Sequence, residues 1–214
     1  MMKKVMLALA CAVAMGTAQA DVLLVENFDN VNALRDGDQW IFENASQPPG
    51  IAPGWVQGNP DVFEAHMGAA PAYIASSFES AAPTGQLDDR LFTPLFSLEN
   101  GAIATFWLRG ANDFGFFDMV VYGYTDGDAD PLDFILQEVT TAPDGWTQYA
   151  ITIEARAGDG RLGFVHTGPE ATSNYVGLDT LRIVDQRQGD VPEPATLLIM
   201  GLGLAGLAAS RRRA

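Results

Sequence analysis

Residues 102–109, Ala-Ile-Ala-Thr-Phe-Trp-Leu-Arg, decide the fold. Asn100-Gly101 precedes them as a turn signal, and their β-branched and aromatic content suits a pleated, half-buried surface. Working outward, 116–124 reads as a second strong strand, and 133–139, 146–154, 161–167 and 175–184 complete the later set. Upstream, 21–28 and 72–78 read as strands. Residues 85–97 carry Leu87, Leu91 and Phe92 into Thr93-Pro94, a strand end because proline cannot donate to a ladder. The period is two, and turn residues recur at roughly 8- to 15-residue spacing, which predicts an all-β sandwich of two antiparallel sheets. Residues 30–60 are rich in Gly, Pro, Asn and Asp and read as long loops around Trp40-Ile41-Phe42 and Gly54-Trp55-Val56. No amphipathic helix is predicted anywhere between residues 21 and 190.

Both ends of the chain differ from this body. Residues 1–20 have the order of a secretory signal peptide, predicted to be helical. Lys3 and Lys4 come first, an apolar run from Val5 to Met15 follows, and Ala18-Gln19-Ala20 predicts cleavage between Ala20 and Asp21. Leu9-Ala10-Cys11 is part of a lipobox, but Ala8 stands where leucine is wanted, so ordinary cleavage is the reading. At the other end, Val191-Pro192-Glu193-Pro194 separates a polar linker (186–190) from an apolar run, Ala195 to Ala209, closed by Arg211, Arg212 and Arg213. A helix of that length reaches about 23 Å, short of the roughly 30 Å hydrocarbon core, and has no polar face. The arginines would stay on the cytoplasmic side and leave the body outside. Gly201-Leu202-Gly203-Leu204-Ala205-Gly206 fits a dinucleotide fingerprint by letter, yet no second strand can follow it in the eight residues that remain. The 191–214 segment resembles the PEP-CTERM sorting signal of Gram-negative bacteria. That resemblance implies cleavage near Pro192–Pro194 by an exosortase-type membrane enzyme. It also implies passage through the inner membrane on the way to the cell surface or extracellular matrix of a biofilm.

The body between the signals contains neither cysteine nor lysine, so it has no disulfide and no thiol nucleophile. Seven arginines face 26 Asp and Glu residues, a formal charge of −19. Such a surface excludes nucleic acid and anionic lipid as partners; membrane contact is predicted only through the C-terminal helix before processing. Hard oxygen ligands are abundant, so Ca²⁺ is the cation to consider, while solubility alone also accounts for the acidity.

The order of landmarks along 21–185 carries a second resemblance. Glu26-Asn27-Phe28-Asp29, Pro53-Gly54-Trp55 and Tyr73-Ile74-Ala75 come first, then Arg90-Leu91-Phe92-Thr93-Pro94 and Thr105-Phe106-Trp107-Leu108. Trp146-Thr147-Gln148-Tyr149, Leu162-Gly163-Phe164-Val165-His166 and Asn174 through Leu181 close the series. Together they resemble choice-of-anchor J, cleaved-adhesin and MAM-like domains. The resemblance implies a jelly roll of a non-catalytic, adhesive or structural kind, in some relatives with a structural Ca²⁺.

Alternation singles out two acids. Val22, Leu24, Glu26 and Phe28 share one face of the first strand, and Tyr175, Gly177, Asp179, Leu181 and Ile183 share one face of the last. Glu26 and Asp179 are thus expected to point inward, where a carboxylate must be paired, hydrogen-bonded, protonated or bound to metal. A Ca²⁺ held by both acids and nearby loop carbonyls, and burial against an arginine or loop amides, are the two readings. Asp126-Gly127-Asp128-Ala129-Asp130 begins like an EF-hand loop, but Pro131 occupies the glycine position, so an acidic turn is expected. His66 and His166 are the only histidines and give no zinc spacing. His166 is expected to be a hydrogen-bonded core or rim residue. No serine stands in a G-x-S-x-G setting. Trp40 and Trp55, in loops, either seal the end of the sandwich or stack on a glycan, whereas Trp107 and Trp146 are expected in the core or at its rim. The functional expectation is a non-enzymatic surface or exopolysaccharide-matrix protein. Its rivals are a lectin-like glycan binder and, with two acids across a cleft, a carbohydrate-active enzyme.

Overall fold

Along Ala102–Gly110 the alternation is obeyed residue by residue. Ala102, Ala104, Phe106 and Leu108 are buried in the core, while Ile103, Thr105, Trp107 and Arg109 lie half-buried on the other face. The computed structural model describes residues 20–111, 115–127 and 133–186, and Asp21–Arg187 forms one compact unit. The two terminal helices expected within 1–20 and 191–214, and most of the linker, lie outside the described residues, as does the acidic turn beyond Gly127.

The strands in chain order are β1 (Val22–Glu26), β2 (Ile41–Asn44), β3 (Gln47–Pro49), β4 (Val56–Gln57), β5 (Ile74–Ser77), β6 (Ala81–Phe92) and β7 (Phe96–Ser97). After them come β8 (Ala102–Gly110), β9 (Met119–Asp126), β10 (Leu136–Thr141), β11 (Thr147–Ile153), β12 (Asp159–Pro169) and β13 (Tyr175–Asp185). One sheet runs β11-β8-β13-β5-β4 with β1 also on β13. The other runs β10-β9-β12-β6-β2, with β3 on β6 and β7 on β12. Every pairing is antiparallel, the jelly-roll sandwich expected of the sequence. Between the sheets the Phe106 ring meets Phe164 edge-on at 4.8 Å and Tyr122 at 5.0 Å. Each buried ring of this kind contributes about 1.5–3 kcal/mol. Among the described residues no helix is long and apolar enough to cross a membrane.

Two departures from the sequence reading matter. The 30–60 stretch is not wholly loop: α1 (Val31–Asp36) is a helix of 6 residues, capped by Asn30, whose side chain accepts from the Ala33 amide. It shows too few turns to leave a periodic signal, and only Val31 is buried. The second departure is in β13. Thr180 takes a φ of 51°, and the register against β8 shifts between Asp179 and Arg182. Before this bulge Val176 and Leu178 face the core; after it Leu181 and Ile183 do. A bulge inserts one unpaired residue and so reverses which parity points inward.

Candidate functional site

The bulge separates the two singled-out acids. Glu26 pairs with core-facing Leu181, whereas Asp179 pairs with Trp107, on the outer face of the β8 sheet. The single inward face expected for both is therefore corrected: period-two counting ran through a residue that does not alternate. Asp179 is fully buried all the same, because the 58–73 loop packs over it. Its Oδ2 accepts from the His66 amide at 2.8 Å and the Met67 amide at 3.1 Å, and its Oδ1 accepts from the Thr180 amide. Burial pushes its carboxyl up in pKa, against these amides, which favour the charged form. Glu26 is half-buried, accepts from the Phe28 amide at 2.7 Å, and is likewise pushed up by burial. The two acids thus have separate amide partners on opposite faces of the sheet. Among the described residues no group of three or more His, Cys, Asp and Glu is placed to hold a metal ion.

The loop that covers Asp179 explains two of the four tryptophans. Trp107 stacks on His66 at 3.8 Å, and Trp146 meets Phe63 edge-on at 5.6 Å while its Nε1 donates to the Glu64 carbonyl. Phe63, Tyr73, Ala75 and Tyr175 form a second, smaller core here, on the sheet's outer face. Gly177 leaves room for it, since a Cβ there would lie 2.8 Å from the Phe63 ring. The glycan candidates fare differently. Trp55 is 1% exposed in the main core, with Nε1 donating to the Asp89 carbonyl at 3.0 Å, so no sugar ring can reach its faces. Trp40 is half-buried against the core, edge-on to Phe28 at 5.8 Å.

A constellation that the sequence did not reveal lies between the sheets. His166 Nδ1 is 2.8 Å from Ser76 Oγ, and its Nε2 is 3.1 Å from Asp118 Oδ1. Ser76 also bonds Asp89, the cross-strand partner of His166, and Asp118 accepts from the Asn174 and Tyr175 amides. Ser76 sits on β5 of one sheet, Asp89 and His166 on β6 and β12 of the other, so the chain of bonds ties the layers together. Its connectivity is that of a serine nucleophile, a base and an orienting acid. All four side chains have 0% exposure, so no substrate carbonyl can approach Ser76. One proton is shared along Asp89, Ser76 and His166. Either Ser76 donates to an ionised Asp89 and the imidazole donates at both nitrogens, or a protonated Asp89 donates to Ser76 and the imidazole is neutral. Burial pushes the Asp89 carboxyl up in pKa, against the serine hydroxyls and the imidazole around it. Only the fold makes this visible, since the four residues come from four segments spread over positions 76–166.

An opening that does face solvent is a groove of about 380 Å³ beside β3, the 3-10 turn Phe78–Ser80 and the start of β6. Pro49, Ile51, Phe78 and Pro83 supply apolar walls, and Glu79 and Glu170 supply two carboxylates. Glu170 Oε2 accepts from the Thr84 amide at 3.0 Å.

Comparison with known proteins bears on both the tail and the body. Residues 190–213 match the PEP-CTERM protein-sorting motif, which marks the chain as exported and sorted to the cell surface. The body is similar to the K1 cleaved adhesin domain of Lys-gingipain from Porphyromonas gingivalis W83. They share 24% identity at a TM-score of 0.55, over 78% of this chain and 98% of that one. It is also similar to the K3 domain of the same protein, with 22% identity and a TM-score of 0.51 over 78% and 99% of the two chains. These likenesses establish the jelly-roll fold. No curated protein matches the chain.

Proposed function

We propose that this chain is a surface or exopolysaccharide-matrix protein, cleaved at its C-terminal signal by an exosortase-type enzyme. Its jelly roll then serves outside the cell as a non-catalytic adhesive or structural module. The observation that carries the reading is the sorting motif at 190–213, placed after a unit, Asp21–Arg187, that has its own core. The Ser76–His166–Asp118 chain is sealed from solvent, which supports a binding role over acyl transfer at that serine. Intact masses of the protein from cells with and without the sorting enzyme test this. A product lacking the Arg211–Arg213 end only when the enzyme is present agrees with it; the same product from both strains contradicts it.

Processing at the other end fits the first residue of the fold. The Asp21 nitrogen donates to Asp185 Oδ1 at 2.9 Å, and the Asp185 amide donates back to the Asp21 carbonyl at 2.9 Å. Asp185 is 3% exposed. Cleavage before Asp21 turns this neutral amide into an α-ammonium facing a buried carboxylate, and a charge-assisted bond is roughly twice as strong as a neutral one. Acetylating the amine of a domain that begins at Asp21 should therefore cost about 1 kcal/mol in denaturant unfolding. Equal stability of the two forms would place the natural N-terminus elsewhere.

A further inference from the structure

Most backbone donors around the groove between Pro49 and Pro83 are already engaged. Pro49 and Pro83 have no N–H. The Gly50 and Ala52 amides donate to the Ser80 and Glu79 carbonyls, and the Phe78 amide donates to Asn174. The Glu79 amide donates to Ser77 Oγ, Ala81 to the Phe78 carbonyl and Thr84 to Glu170. What faces the opening is apolar surface and two carboxylates. Ile51 is 88% exposed at the lip and Phe78 is 37% exposed. The wall is held close by Gly50, where a Cβ would lie 2.1 Å from the Glu79 carbonyl oxygen. No arginine is among the lining residues. Elsewhere Arg90 is paired with Glu43 and Asp88, Arg156 with Asp126, and Arg161 with two carbonyls.

An occupant must therefore bring donors and positive charge and must have an apolar face. A peptide adding as a strand needs a run of free backbone donors, whereas the Gly50, Ala52, Phe78, Glu79, Ala81 and Thr84 amides are already engaged. A polymer of uronic or sulfated sugars would meet a body of charge −19. A sugar whose amine is free meets all three demands. Its ring lays C–H bonds on proline, isoleucine and phenylalanine, its hydroxyls donate, and its ammonium forms charge-assisted bonds to carboxylates. The volume lies within the roughly 300–1,000 Å³ of small-ligand sites.

We infer that this groove binds a cationic amino-sugar polymer, with ring faces on Phe78, Ile51 and the prolines and free amines on Glu79 and Glu170. The inference rests on the proposed surface or matrix location and names the ligand class that the location would supply. Titration calorimetry on Asp21–Arg187 tests it with a β-1,4-glucosamine hexamer, its fully N-acetylated counterpart, hexalysine and polygalacturonate. The glucosamine hexamer should bind, more weakly as salt rises, and polygalacturonate should not. Glu79→Gln with Glu170→Gln should weaken binding about tenfold, or about 1.4 kcal/mol, with melting unchanged, since glutamine keeps the acceptor for Thr84. Ile51→Ser should weaken it too. Equal affinity for the acetylated hexamer or for hexalysine would overturn the amino-sugar assignment. Binding that survives the double variant would place the attraction in the general negative field instead of the groove. Absence of binding to the glucosamine hexamer overturns the inference while leaving the processing masses, which test surface delivery, unaffected.

Discussion

Asp118→Ala should lower the stability of Asp21–Arg187 by about 3–5 kcal/mol, the usual cost of leaving a buried polar partner uncompensated. Asp118 is fully buried and holds three donors: His166 Nε2 at 3.1 Å, the Asn174 amide at 2.6 Å and the Tyr175 amide at 3.3 Å. Alanine leaves all three without an acceptor, in a space sealed from water. The damage spans both sheets, because His166 belongs to β12 and Tyr175 opens β13. Denaturant unfolding at neutral pH measures the loss, and a change below about 1 kcal/mol would show that the network does not hold the layers together.

Asp89→Asn should behave in the opposite way. Asparagine resembles the protonated acid, so it can donate to Ser76 Oγ and still accept from Ser46 Oγ, now 3.4 Å away. Because burial raises the Asp89 pKa, its contribution to stability is full below its unfolded pKa of about 3.9 and is lost as pH rises through the folded value. The wild-type domain should then weaken as pH climbs from that value toward neutrality, and Asp89→Asn should flatten this slope. That contrast separates a proton-sharing network from one that is merely packed.

How much of this was legible in the sequence depended on distance along the chain. Ala102–Gly110 kept strict alternation, so its core face, its neighbours and the sandwich class could be read directly. The sorting motif is a contiguous signal and was equally plain. Asp179 was misplaced because one bulged residue, Thr180, reverses the parity of β13, and a threonine carries no mark that requires a positive φ. Of the two roles open to a loop tryptophan, Trp55 takes the sealing one, its indole drawn inward by the core and by the Asp89 carbonyl. The Ser76–His166–Asp118 chain left no local trace, since each member is an ordinary strand residue or precedes one. Burial of His166 was foreseen from its face, but its partners were not. The groove combines Pro49, Phe78 and Glu170, which only the pairing of β3 with β6 and the 3-10 turns bring together.

The sorting signal carries the other large effect. Pro192 and Pro194 fix φ and remove two backbone donors, so the sequence predicts that Val191-Pro192-Glu193-Pro194 stays outside the apolar helix expected after it, where a membrane enzyme can reach it. As a helix, the apolar run expected from the sequence would reach about 23 Å, short of a core of roughly 30 Å, with the three arginines expected at its cytoplasmic end. On the proposed function, the uncleaved segment would be an anchor and its removal would leave the jelly roll free of the membrane. Changing Pro192, Glu193 and Pro194 together to alanine removes the recognition element and keeps the anchor. The decisive measurement is the fractionation and intact mass of this triple variant beside the wild type in cells that have the sorting enzyme. The wild type should appear outside the inner membrane without its arginine tail, and the variant should remain in the inner membrane with the tail intact. Release of a tail-less product from the variant at the wild-type level would contradict surface delivery through this signal.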